Sequence, residues 1–315
     1  MHEQLAPPLA FVCEIPAAFE AYVAIDKTFA RICIALDKKH GYQDSAEILA
    51  PNQGDVAKDT TEFLAAANEY ESSDIVHIGE GGANYRSLLY RSYLEGSNKR
   101  FERTGSSLQR QIYEAPDMTT LPNSQLLLLD DETTQYISAR LTWDEQASIP
   151  REVVYGDFKL RVVADAISHW YSQRERGLAW QPRRDISLAR QAASFIKVLQ
   201  TGEIDSNYYP EQAEDYCFAR AFGLMSAAQA LQKWPKLQHH ESNRIESMER
   251  AIKQVEAGEI IDVNDHRVVQ AIAMRYGLGP SRFKYPACVE KSWPRFWEFV
   301  TQARDAFGHY NWSPA

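Results

Sequence analysis

The chain has 315 residues, of which 44% are hydrophobic and 24% charged, with a formal net charge of −9 at pH 7. Those proportions belong to folded globular chains and exclude the disordered class. No apolar run approaches the ~20 residues that span a bilayer, so no membrane partner is expected, and the acidic balance argues against a protein that coats nucleic acid non-specifically.

The charge is unevenly spread. Residues 1–150 carry 12 Lys/Arg against 23 Asp/Glu, and residues 151–315 carry 22 against 20. Two windows are basic: 6 against 2 over residues 86–110, and 7 against 2 over residues 267–304. An acidic body with local basic windows suits a local anionic ligand. The cysteines, Cys13, Cys33, Cys217 and Cys288, are scattered without a CxxC pair. Residues 1–16 have no basic region before their apolar patch, so no secretory signal is expected. A cytoplasmic protein without disulfide framework, metal or cofactor is expected.

In chain order, residues 9–15 (Leu-Ala-Phe-Val-Cys-Glu-Ile) predict a first strand, stopped by Pro16. Phe19, Val23, Phe29, Ile32 and Leu36 fall at helical spacings and predict a helix over residues 17–37. A loop is expected over 40–59, then a helix over 60–70 and a strand at 74–78. That strand runs into Gly79-Glu80-Gly81-Gly82 and a helix through Leu94. Residues 98–110 read as a polar, basic loop. Residues 125–130 and 136–143 read as two strands of a hairpin, and 151–163 as another strand or the start of a helix. Helices are expected over 158–173, 186–201, 210–231, 241–257, 264–276 and 294–307, punctuated by Gly202, Pro235, Gly258 and Gly277. The fold class is therefore α+β. A mixed α/β domain (1–155) precedes an all-helical domain (156–315), with residues 173–184 as a second candidate hinge.

Three constellations could carry chemistry. Strand, glycine turn and helix at 74–91 can aim backbone N–H groups at an anion, with Arg86 and Arg91 as a fork, and Lys99, Arg100 and Arg103 extend this basic window. No GxGxxG and no Gly-Lys-Ser/Thr is present, and Glu80 would repel phosphate. His77, at the strand end, reads as a core histidine. Ala273, Gly277, Leu278 and Phe283 are spaced as in a helix-turn-helix, with Arg282 and Lys284 facing outward; Pro286 would end the second helix after about six residues. Trp293, Phe296, Trp297, Phe299, Phe307, Tyr310 and Trp312 crowd the C-terminus as core, or as the interface of a homodimer or a partner protein.

The third constellation is Arg304-Asp305, three further residues and His309. A guanidinium can hold phosphate oxygens while an imidazole moves a proton near neutrality. The spacing resembles the Arg-x(4–6)-His motif, with a polar residue after the Arg, of HEPN-family ribonucleases, over six residues. The resemblance implies metal-independent RNA cleavage, with two motifs joined by dimerisation. Arg304 would then clamp the scissile phosphate, His309 would act as general acid/base, and a 2′-OH would attack. The leading expectation is a cytoplasmic protein that engages RNA or DNA, with endoribonuclease activity. The alternatives are a non-catalytic subunit of a nucleoprotein or defence-type assembly, and a helix-turn-helix DNA-binding regulator.

Overall fold

The computed structural model describes residues 15–109, 111–129, 134–204, 208–239 and 242–308. Among these the chain is largely helical, with one two-stranded parallel sheet. It divides into two compact units, Asp26–Arg183 and a second formed by residues 15–25 and 184–308. The strand expected over 9–15 lies outside the described residues but for Ile15, which is irregular.

Helix α1 (Ala17–Glu20) belongs to the second unit, and α2 (Lys27–Lys39) opens the first. The uninterrupted helix expected over 17–37 is broken between them. Asp26 leaves the helix to cap α2, its carboxylate accepting from the N–H groups of Thr28 (2.8 Å) and Phe29 (3.0 Å). Ile25 instead pairs antiparallel with Arg184.

The first unit continues through α3 (Ser45–Leu49), α4 (Lys58–Ser72), β1 (Ile75–Gly79), α5 (Gly82–Glu95) and β2 (Arg100–Arg103). It closes with α6 (Asn123–Leu129), α7 (Gln135–Trp143), α8 (Arg151–Gly156) and α9 (Phe158–Glu175). Strand, crossover helix and parallel strand form one β–α–β turn, with Val76 opposite Phe101 and His77 opposite Glu102.

Two expectations fail here. Part of the basic loop is β2, held because Arg100 N–H donates to Asp74 O and Thr104 N–H to Gly79 O. The expected hairpin is the helix pair α6 and α7. Helix α7 is buried nearly all round, at Tyr136, Ile137, Ser138, Ala139, Arg140, Thr142 and Trp143, so its burial carries neither the alternation of a half-buried strand nor a one-sided helical stripe. Arg140 reaches Tyr90 Oη (3.1 Å), Asn123 Oδ1 (2.8 Å) and Met118 O (3.0 Å).

Helices α2 and α9 pack through Phe29, Ile32, Leu36, Val163, Ala166 and Trp170, all buried. Asp37, fully buried on α2, accepts four hydrogen bonds at their contact. Oδ1 takes Trp170 Nε1 (2.7 Å) and Arg174 Nη2 (2.7 Å), and Oδ2 takes Ser45 Oγ (2.6 Å) and Trp180 Nε1 (2.8 Å). Arg174 also grips Asp44 by two bonds (2.6 and 2.9 Å) and lies 3.9 Å from the Tyr42 ring centroid. These carboxylates, Asp44 first, raise its pKa and keep it charged.

The second unit adds α10 (Ile186–Thr201), α11 (Tyr216–Ala221), α12 (Ala227–Lys233), α13 (Arg244–Glu256), α14 (His266–Tyr276) and α15 (Phe296–Phe307). Phe195, Phe218, Met248, Ile272, Trp293 and Phe299 share its core. The helix expected over 210–231 is two helices, because Gly223 turns left-handed (φ +75°) and Ser226 starts α12 with a reciprocal cap on Gln229.

Removing the Asp37 carboxylate would leave the Trp170 and Trp180 indole N–H groups and the Ser45 hydroxyl without their acceptor and take one of its two carboxylates from Arg174. Asp37→Ala is expected to destabilise the first unit by about 3–5 kcal/mol, read by urea unfolding followed through tryptophan fluorescence. A loss below about 1 kcal/mol would mean that the carboxylate does not hold the α2–α9 contact.

Candidate functional site

Arg304 sits exposed in the last turn of α15. Its Nη1 donates to Gly277 O at 2.5 Å, so the guanidinium covers the C-terminal end of α14. Gly277 ends α14 in the left-handed region (φ +61°), and a Cβ there would meet the guanidinium at 3.5 Å. His309 lies outside the described residues.

The described cations of the first basic window, Arg86 to Arg103, are engaged within the first unit. Arg86 is buried, donating to Gln135 Oε1 (3.0 Å) with its guanidinium 5.7 Å from the Tyr136 ring. Arg91 lies between the rings of Tyr70 (4.3 Å) and Trp143 (4.6 Å), and bonds Glu71 (2.6 Å) and Glu95 (2.7 Å). Burial would lower its pKa, but those two carboxylates raise it. Lys99 donates to Ser73 O (2.7 Å), and Arg103 to Ser107 O (3.1 Å) while covering the Tyr85 ring. Arg100 is the outward-facing member, paired with Glu102 at 2.9 Å. These side chains bind their own chain, Arg91 and Lys99 both against the Tyr70 ring.

In the second window Arg282 donates to Glu259 O (3.1 Å) and Lys284 pairs with Asp262 (2.8 Å). The segment after Gly277 forms two short 3₁₀ turns, Pro280–Arg282 and Pro286–Lys291, where a helix-turn-helix regulator would carry its second helix. Pro280 and Pro286 each start one of them, and Phe283 between them pairs with Ile261. The aromatic stripe is interior in its described part: Trp293, Phe296 and Phe299 are buried, and Trp297 donates its indole N–H to Pro286 O (3.0 Å). These described members pack the second unit, while Tyr310 and Trp312 lie outside the described residues.

The glycine turn after β1 holds carboxylates where an anion was considered. Lys58 Nζ lies 3.6 Å from Glu62 and 3.5 Å from Glu80. Glu62 folds over Gly79, which is left-handed (φ +74°), so that a Cβ there would displace the Glu62 carboxyl. Burial raises the Glu62 pKa. With two carboxylates to one ammonium, the turn is repulsive to phosphate.

A further cluster had no sequence motif. Asp165 and His169, one turn apart on α9, meet Arg183. Arg183 Nη1 pairs with Asp165 Oδ2, and its Nη2 lies 3.0 Å from His169 Nδ1. Gln181 N–H donates to His169 Nε2 at 3.1 Å. N–H groups thus face both ring nitrogens. Burial, and then the Arg183 charge, push the imidazole down to about 4. The i, i+4 spacing of Asp165 and His169 on a helical pattern was the available signal, with Arg183 in the basic hinge. Among the described residues no cluster of three or more His, Cys, Asp or Glu side chains is placed to hold a metal.

Comparison with protein-family models, curated proteins and solved structures found no match to this chain.

Because the folded state holds His169 neutral, the unfolded chain binds its proton first. The contribution is complete above about pH 6.5, the ordinary histidine value, and is lost as pH falls toward 4. Wild type is therefore expected to lose unfolding midpoint faster than His169→Gln over that interval. Parallel midpoint-against-pH curves for the two proteins would show that His169 carries no such linkage.

Proposed function

We propose that this chain is a non-catalytic cytoplasmic subunit of a larger assembly, of the nucleoprotein or defence type, and that its basic windows serve its own architecture. The observation that carries this reading is the internal engagement of the side chains a phosphate clamp would use. Arg91 binds two carboxylates between two rings, and Lys99 and Arg103 bind main-chain carbonyls. Turning Arg91 toward a phosphate would leave Glu71 and Glu95 without that partner and open the Tyr70–Trp143 sandwich. Free, buried Cys33 and Cys217, whose thiols burial raises in pKa, suit a reducing compartment.

Metal-independent RNA cleavage is the second reading, and one feature favours it. Arg304 is exposed and anchored through Nη1, five residues before His309. The test is cleavage of labelled single-stranded RNA in EDTA by wild type and His309→Ala. The subunit reading expects no cleavage by either, and a native mass above the 35.9 kDa chain when the tagged protein is purified from its own cells. Cleavage that disappears in the variant, or a monomeric native mass, would overturn it.

A further inference from the structure

The sheet of the first unit is small enough to need help from outside its own ladder. Two strands of five and four residues form it, and an isolated pair of that size is marginal in water. Its apolar side is covered: Val76 and Ile78 are buried, and Phe101 lies against the rings of Tyr70 and Tyr85. The opposite side carries His77, expected from sequence to be interior and instead 62% exposed.

His77 is placed where three elements meet. Its Nδ1 is 2.9 Å from Glu69 Oε1 on α4, and its Nε2 is 3.4 Å from Glu102 Oε2, directly across the ladder on β2. The other Glu69 oxygen accepts from the His77 backbone N–H at 2.7 Å, on the edge of β1 away from β2. Arg100 Nη2 holds Glu102 Oε1 at 2.9 Å. The charged groups facing the imidazole are therefore Glu69 from α4 and Glu102 from β2, with Arg100 behind Glu102.

We propose that His77 is a proton-dependent staple that ties β1 and β2 to α4. A doubly protonated imidazole donates at both nitrogens, to one carboxylate on each side. A neutral imidazole has one N–H, so one of the carboxylates then faces a lone pair and is repelled. The switch needs no movement of the backbone. It changes how firmly the short β2 strand is held, and with it the segment leading into the 3₁₀ turn Gly105–Gln109.

Geometry sets the direction of the linkage. Hydrogen bonding to Glu69, then its charge, raises the His77 pKa above the ordinary value. A raised folded-state pKa means that the staple is complete below about pH 6.5 and is lost as pH rises through the folded value.

The test reads His77 and the ladder separately. Ring nitrogen shifts followed by NMR should give His77 a pKa above the ordinary histidine value, falling in both Glu69→Gln and Glu102→Gln. Amide-exchange protection of Thr104, whose N–H donates to Gly79 O, should drop several-fold between pH 5.5 and 8.5 in wild type and stay level in His77→Gln. An ordinary pKa in wild type, a pKa untouched by Glu102→Gln, or the same protection profile in His77→Gln would each overturn the proposal.

Discussion

One buried carboxylate constrains the first unit. Asp37 arrives on α2 and cannot be left unpaired in the interior, since an uncompensated buried charge costs several kcal/mol. The partners that answer it come from residues 45, 170, 174 and 180. Satisfying it fixes where α9 lies against α2, where the segment after α9 returns, and where the turn into α3 sits. Trp170 and Trp180 can be fully packed because their indole N–H groups have an acceptor there. Apolar burial supplies the drive for this contact, and the carboxylate selects its arrangement.

The second unit repeats the device with a helix end. Asp265 caps α14 through the N–H of Arg267 (2.9 Å) and, with its other oxygen, takes Ser242 Oγ (2.5 Å) and Arg244 Nε (3.2 Å). Burial alone would raise its pKa, but Arg244, His266 and the Ser242 hydroxyl hold it below the usual carboxylate range. Asp215 accepts from the Ser187 hydroxyl and from the N–H groups of Glu211 (3.0 Å) and Gln212 (3.2 Å); here burial prevails and the pKa rises. Charged side chains are thus structural parts in both units. A basic window read from sequence is in large part the surplus of one sign whose partners lie elsewhere in the chain.

That distinction decides what was legible. Helices with a wide apolar face could be read almost to the residue: α10 matches its expected bounds, and α14 and α15 start two residues inside theirs. β1, the glycine turn and α5 followed from an apolar run broken by Gly79. The Leu126–Leu129 run misled because a short apolar stretch has no period of its own, and α7, buried at seven of its nine positions, offered no one-sided stripe to read either. β2 could not be read at all. Arg-Phe-Glu-Arg has one apolar residue, and its strand exists because β1 offers a ladder and Tyr70 and Tyr85 receive Phe101. Of the candidate site, the Arg91–Glu95 spacing was a visible hint of internal pairing, whereas Glu71, twenty residues back, was not.

Two histidines show why residue type alone misjudges chemistry. His77 and His169 begin from the same ordinary pKa and move in opposite directions, because one imidazole faces carboxylates and the other faces N–H donors beside a guanidinium. The first therefore supports the fold while protonated and the second while neutral. His169 withdraws support as pH falls below about 6.5, and His77 withdraws it as pH rises through its raised value. Both act on the first unit, His169 toward its acid side and His77 toward its alkaline side. The half-buried His169 sets the acid side more firmly than the exposed His77 sets the alkaline side, since solvent screens the latter. A residue marked in the sequence as a generic imidazole thus becomes an acid-side or alkaline-side limit according to the atoms the fold brings to its ring.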